Sequence, residues 1–135
     1  MKVVVDTSIW SLALRRSKET QNPEAQILYN LIQQEEHIFL IGIIIQELLQ
    51  GVKIVRNFKK LKNDLDAFPL IETKREHYIK AAELKNHLIG KGIQSSTIDV
   101  LIASVCIAND CLLFTSDKDF THIAKHSKLK LLNFK

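Results

Sequence analysis

Glycine and proline are scarce in this 135-residue chain, at four and two residues. That excludes a collagenous, turn-punctuated or loop-rich repeat design, and no internal period is found. Cysteine is nearly absent. The two present, Cys106 and Cys111, sit among apolar neighbours in neither metal-binding nor redox spacing, so a disulfide scaffold is excluded and a reduced, cytoplasmic chain is expected. No apolar run is longer than the eight residues Ile38–Ile45, far short of the ~20 needed to cross a bilayer. Val3–Val5 ahead of Asp6 is too short for a secretory leader, and no membrane partner is expected. Charge of one sign is not in large excess either: 19 Lys and Arg against 15 Asp and Glu leave +4, a weak pointer to an anionic partner. What the chain does have is a core. Its 46% hydrophobic and 25% charged residues exclude intrinsic disorder, and the length fits one domain over 1–135.

Lys2–Val5 reads as a buried strand that stops at Asp6-Thr7-Ser8, a cluster suited to capping a helix from Ile9 to Leu14. Asn22-Pro23 starts a second helix with Ile27, Leu28, Leu31 and Ile32 on one face. Ile38–Ile41 reads as a strand, and Ile43–Gln50 as a short helix closed by Gly51. Val52–Ala67 carries apolar residues at helical spacing with Lys and Arg between them, and Leu70-Ile71 follows as a short strand. Thr73–Ile89 is a long amphipathic helix ending at Gly90-Lys91-Gly92, and Ser95–Thr97 caps the helix Ile98–Ala108. Leu112–Phe114 is a strand, Phe120–Lys125 helical, and Leu129–Leu132 a last strand. Buried strands separated by helices predict an α/β fold, a central parallel sheet flanked by helices on both faces.

Four acids stand where acids are costly. Asp6 follows the first strand and Asp117 follows Leu112–Phe114. Each either caps the next segment or projects into the crevice past the strands' carboxyl ends, where such sheets bind ligands. Glu47 lies in Ile43–Leu49, a segment with little polar surface to spare. Asp99 is enclosed by Ile98, Val100, Leu101, Ile102 and Ala103. A helix apolar all round is buried, and a buried carboxylate costs several kcal/mol unless paired or coordinated. The alternative for Asp99 is a first-turn position favoured by the helix dipole. If the four converge, each pair at ~4 Å repels by roughly 4 kcal/mol at an effective dielectric near 20, which protons or a cation must offset. No Lys or Arg lies within four residues of Glu47. An all-oxygen set favours Mg²⁺ or Mn²⁺ over zinc, and such clusters serve phosphodiester hydrolysis. Two other acidic chemistries fit poorly. A haloacid-dehalogenase-like phosphatase needs a second Asp where Ser8 stands, and a phospho-acceptor receiver needs an acid where Val5 stands.

Asp6-Thr7-Ser8-Ile9-Trp10, Gln46-Glu47-Leu48-Leu49-Gln50-Gly51, Asp99-Val100-Leu101-Ile102-Ala103 and Thr115-Ser116-Asp117-Lys118-Asp119-Phe120 fall in this order over nearly the whole chain. The set resembles the PIN-domain ribonucleases, specifically the VapC-type toxins of bacterial toxin–antitoxin pairs. The resemblance implies that Asp6, Glu47, Asp99 and Asp117 meet in one acidic pocket that binds one or two Mg²⁺ or Mn²⁺ ions. It implies hydrolysis of RNA to 5′-phosphate and 3′-hydroxyl ends, with Asp6 and Asp99 as direct ligands. Glu47 and Asp117 then act through water or orient the nucleophile. Thr7, Ser8 and Thr115 are hydroxyls that fix the carboxylate rotamers, and Asp119 supports the set or substitutes for Asp117. The implied partners are an RNA substrate, a cognate antitoxin protein and a second copy of the chain. Ile44 departs from the family, which often has Thr or Ser there, and the segment before Asp99 has no Arg or Lys after Lys91.

Setting aside those four acids leaves 19 cations against 11 anions, or +8, a footing for a polyanion. Arg15, Arg16, Lys18, Lys53, Arg56, Lys59 and Lys60 are candidate phosphate contacts; the alternative is that the lysines only solvate an outer helix face. Trp10 with Ile27, Leu28, Leu31 and Ile32 forms either core or an interaction groove. His122 and His126 share a helix face but have no third ligand motif, which favours a surface role. Two other functions stay open: a catalytically silent PIN-like binding module, and a PIN nuclease with a housekeeping RNA-processing or DNA target.

Overall fold

In the computed structural model, which describes residues 1–14, 22–34 and 37–133, five parallel strands form one sheet. They are β1 (Lys2–Val5), β2 (His37–Ile41), β3 (Leu70–Ile71), β4 (Leu112–Phe114) and β5 (Lys130–Leu131), in the order β3-β2-β1-β4-β5. Seven helices occur among the described residues: α1 (Thr7–Leu14), α2 (Pro23–Gln33), α3 (Gly42–Leu49), α4 (Val55–Leu65), α5 (Arg75–Gly90), α6 (Thr97–Ala108) and α7 (Asp119–Lys125).

Successive side chains of a strand point to opposite faces, so the complete burial of Val3, Val4 and Val5 means that both faces of β1 are covered. Connectivity explains how. The chain steps outward from β1 to β2 to β3, then crosses back past β1 to β4 and β5. With right-handed crossovers, that reversal puts the helices of the two halves on opposite faces. The contacts agree: α1 packs on α2 and α3, and α3 on α4, while α6 packs on α5 and α7. Phe114, Phe120, Ile9, Leu28, Leu88 and Ile102 fill the core with almost no exposure.

Local chemistry places most boundaries. The Asn22 side chain accepts from Ala25 N at 3.1 Å, and Pro23 occupies the first turn of α2. Gly51, at φ +89°, supplies the left-handed residue that follows α3. Most boundaries fall within two residues of the sequence reading, and two of the differences have a local cause. Helix α1 already includes Thr7 and Ser8, because the Asp6 carbonyl accepts its first bonds, from Ile9 N and Trp10 N. Helix α4 starts at Val55 rather than Val52, since residues 52–54 are taken up in leaving the Gly51 turn. The groove suggested for Trp10 and α2 is largely core: Trp10, Leu28 and Leu31 are buried, Trp10 sits edge-on to Phe68, and only Ile32 is well exposed. Ile44, where a hydroxyl was missed, is fully buried.

Candidate active site

The strand order reverses between β1 and β4, and the crevice past their carboxyl ends is where such sheets gather ligands. Asp6 stands there. Its backbone N–H donates to Phe114 O at 2.9 Å, joining the ends of the two strands. Its buried carboxylate takes hydrogen bonds on Oδ2 from Ser8 Oγ and Thr115 Oγ1, both at 2.9 Å. Among the described residues no helix N–H donates to that carboxylate, so the Asp6 side chain faces the crevice while its carbonyl caps α1.

Thr115 also accepts from Asp117 N at 3.0 Å, and Asp117 Oδ1 accepts from Asp119 N at 2.9 Å. This chain of short bonds turns the polypeptide from β4 into α7 and holds both acids at its mouth. Asp99 arrives from α6, in the first turn, with its N–H on the Ser96 capping hydroxyl at 3.0 Å. The first-turn position considered for Asp99 is therefore the one it occupies. Carboxylate oxygens of Asp99, Asp117 and Asp119 lie within 4.8 Å of one another.

Electrostatics follow from that crowding. Burial pushes the Asp99 carboxyl up from 3.8 to about 6, the Ser96 hydroxyl pulls it back in part, and Asp117, Asp6 and Asp119 push it further up. Helix-end stabilisation does not offset the lost water and the like charges. The ion pairs among the described residues, Lys60–Asp64 and Lys80–Glu83, involve none of these acids. A hard, all-carboxylate donor set with no ammonium or guanidinium paired to it among the described residues suits a divalent cation bound through oxygen.

Glu47 is placed differently. It projects from α3, and Thr7 Oγ1 donates to its Oε1 at 3.0 Å, linking it through one residue to Asp6. Like Asp6, it stands outside the Asp99–Asp117–Asp119 group, and it lines a cleft between α1, α3 and α4. Asp119, expected to support the set or to substitute for Asp117, belongs to that group together with Asp117. Lys53, Arg56 and Lys59 are exposed, and Lys60 pairs with Asp64 at 3.0 Å. Arg15, Arg16 and Lys18 lie outside the described residues. Asn57 and Asp64, which line the cleft beside Glu47, carry no sequence signal of a site, since both look like the solvated face of a basic helix.

The PIN domain family model matches residues 3–126. The chain belongs to the PIN domain family. Among curated proteins, none matches it. Solved structures similar to this PIN domain include VapBC2 from Rickettsia felis bound to a promoter DNA fragment, with TM-score 0.75, 22% identity and 100% of both chains covered. FitAcB from Neisseria gonorrhoeae has TM-score 0.75 at 20% identity, covering 97% of this chain and 96% of that one. VapC20 from Mycobacterium tuberculosis, described as a sarcin-ricin loop cleaving toxin, has TM-score 0.67 at 13% identity, covering 95% and 98%. At these identities the likeness is one of fold.

Proposed function

We propose that this PIN domain is a Mg²⁺- or Mn²⁺-dependent endoribonuclease and the toxin of a VapBC-like toxin–antitoxin pair, acting in the cytoplasm as one unit over residues 1–135. The observation that carries the reading is the gathering of Asp99, Asp117 and Asp119 beside buried Asp6, with none of them ion-paired among the described residues. Similar solved structures described as VapBC complexes, and one described as an RNA-cleaving toxin, support the choice of partner and substrate.

Asp6, Asp99 and Asp117 are the residues that would hold the ion, and Asp119 is placed to share it. When bound, such a cation supplies neutralisation of charge at the phosphoryl group and a lowered pKa of water. Ser8 and Thr115 hold the Asp6 carboxylate in one orientation. Thr7 occupies Oε1 of Glu47, leaving Oε2 to orient the attacking water or accept its proton. Lys53, Arg56 and Lys59 meet substrate phosphates along the α4 side. A second copy of the chain and an antitoxin complete the assembly.

Asp6→Asn and Asp99→Asn should each abolish cleavage of single-stranded RNA while leaving circular dichroism unchanged. EDTA should stop the wild-type reaction and added Mg²⁺ or Mn²⁺ restore it. Cutting that survives both substitutions, or proceeds in EDTA, rejects the site. Induced expression should arrest growth for wild type and not for Asp99→Asn.

A further inference from the structure

The cleft beside Glu47 has a volume of about 440 Å³ and runs between α1, α3 and α4. Leu14, Leu48 and Leu61 form aliphatic walls. Asn57 and Asp64 bring polar groups to it from α4, and Glu47 lies where it approaches Thr7 and Asp6. The space is of the size that takes one small ligand with a few convergent polar groups. We propose that this cleft is a nucleobase subsite of the active site, holding the base next to the scissile phosphate and selecting guanine. The proposal rests on the ribonuclease reading above.

Charge decides which part of an RNA enters. Among the described residues that line it, two carboxylates, Glu47 and Asp64, face one ammonium, Lys60, which Asp64 Oδ2 already engages at 3.0 Å. A cleft with surplus negative charge repels phosphates and admits an uncharged base. Apolar walls favour the faces of the ring, and the acceptors favour an edge rich in donors. Among the described residues, Asp64 Oδ1 accepts no hydrogen bond. Guanine is the base that presents two adjacent donors, N1–H and the N2 amine, to such a carboxylate, in the way a forked donor does. Uracil offers a single N–H flanked by two carbonyl oxygens, which the acids repel. Asn57 can pair with the purine carbonyl through its amide. The volume suits a single base, and Glu47, hydrogen-bonded to Thr7 next to Asp6, ties the cleft to the acids.

The test uses the full-length chain and short oligouridines carrying one guanosine, one inosine or one abasic site. Wild type should cut beside the guanosine, and inosine, which lacks the N2 amine, should lower kcat/KM about tenfold. Asp64→Asn should erase that guanosine–inosine difference. Asn57→Trp, which fills the cleft, should lower kcat/KM on guanosine RNA about tenfold or more and leave abasic RNA unaffected. Asn57→Leu serves if the tryptophan variant fails to fold. A guanosine–inosine difference that is absent in wild type, or that persists unchanged in Asp64→Asn, overturns the proposal while wild-type cutting preserves the nuclease reading. So does a cleft-filled variant that cuts RNA normally but no longer binds its antitoxin, which makes the cleft a protein groove. A folded wild type that neither cuts nor binds any of these RNAs overturns both readings.

Discussion

Thr115 shows how much one hydroxyl can organise. It donates to Asp6 and accepts from Asp117 N, so it couples the end of β1 to the turn after β4. Thr115→Val keeps the shape and removes both bonds, which should cost about 1–3 kcal/mol in urea unfolding and lower RNA cleavage more than tenfold, with Thr115→Ser restoring most of each. Asp99 sets the pH response. Its folded-state pKa of about 6 lies above the ordinary 3.8, so the folded chain binds the extra proton between those values. The stability this contributes is complete below about pH 4 and is lost as pH rises through 6. Ion-free Asp99→Asn protein should therefore be more stable than wild type at pH 7.5 by about 1 kcal/mol, after discounting for partial solvent screening. The gap should close by pH 4 and on adding Mg²⁺, and equal unfolding midpoints across pH would contradict the crowding of charge. The motif residues Asp6, Asp99 and Asp117 were legible because an acid in an apolar run or at a strand's end breaks a local pattern.

Helix α6 illustrates what a single element must reconcile. Its body is apolar, with Val100, Ile102, Ala103, Val105 and Cys106 buried, yet its first turn presents an acid to the pocket. Ser96 allows this by holding Asp99 N at 3.0 Å. Ser96→Ala should destabilise the fold by about 1 kcal/mol in denaturant titration. It should also raise the pH midpoint of metal binding, because the Ser96 hydroxyl lowers the Asp99 pKa. Most elements could be read from periodicity and caps, as with Asn22-Pro23 at the start of α2. Where α1 begins could not. Asp6-Thr7-Ser8 has the composition of a side-chain cap, but the Asp6 carbonyl does the capping and frees the carboxylate. That choice depends on Thr115, which lies 109 residues away and competes for the same side chain.

Across the whole molecule, the reversal of strand order at β1 and β4 is what brings Asp6 and Asp117, far apart in the chain, to one crevice. Away from the four motif acids the chain carries a balance of +8. RNA affinity should consequently fall linearly on a log–log plot against salt, with a shallower slope for Lys53→Ala and Lys59→Ala, as measured by fluorescence anisotropy. A slope unchanged by those substitutions would place the phosphate path elsewhere. The sequence by itself determined the kind of each element, the parallel α/β class and the motif acids. Those depend on spacing along the chain, on caps and on the cost of an isolated charge, all short-range. Only the tertiary structure decided that Asp119 joins Asp99 and Asp117, that Glu47 stands apart behind Thr7, and that Asn57 and Asp64 line the cleft beside it. Each of those is a distance between elements, and such distances come from how helices pack across a sheet, which no local pattern of residues encodes.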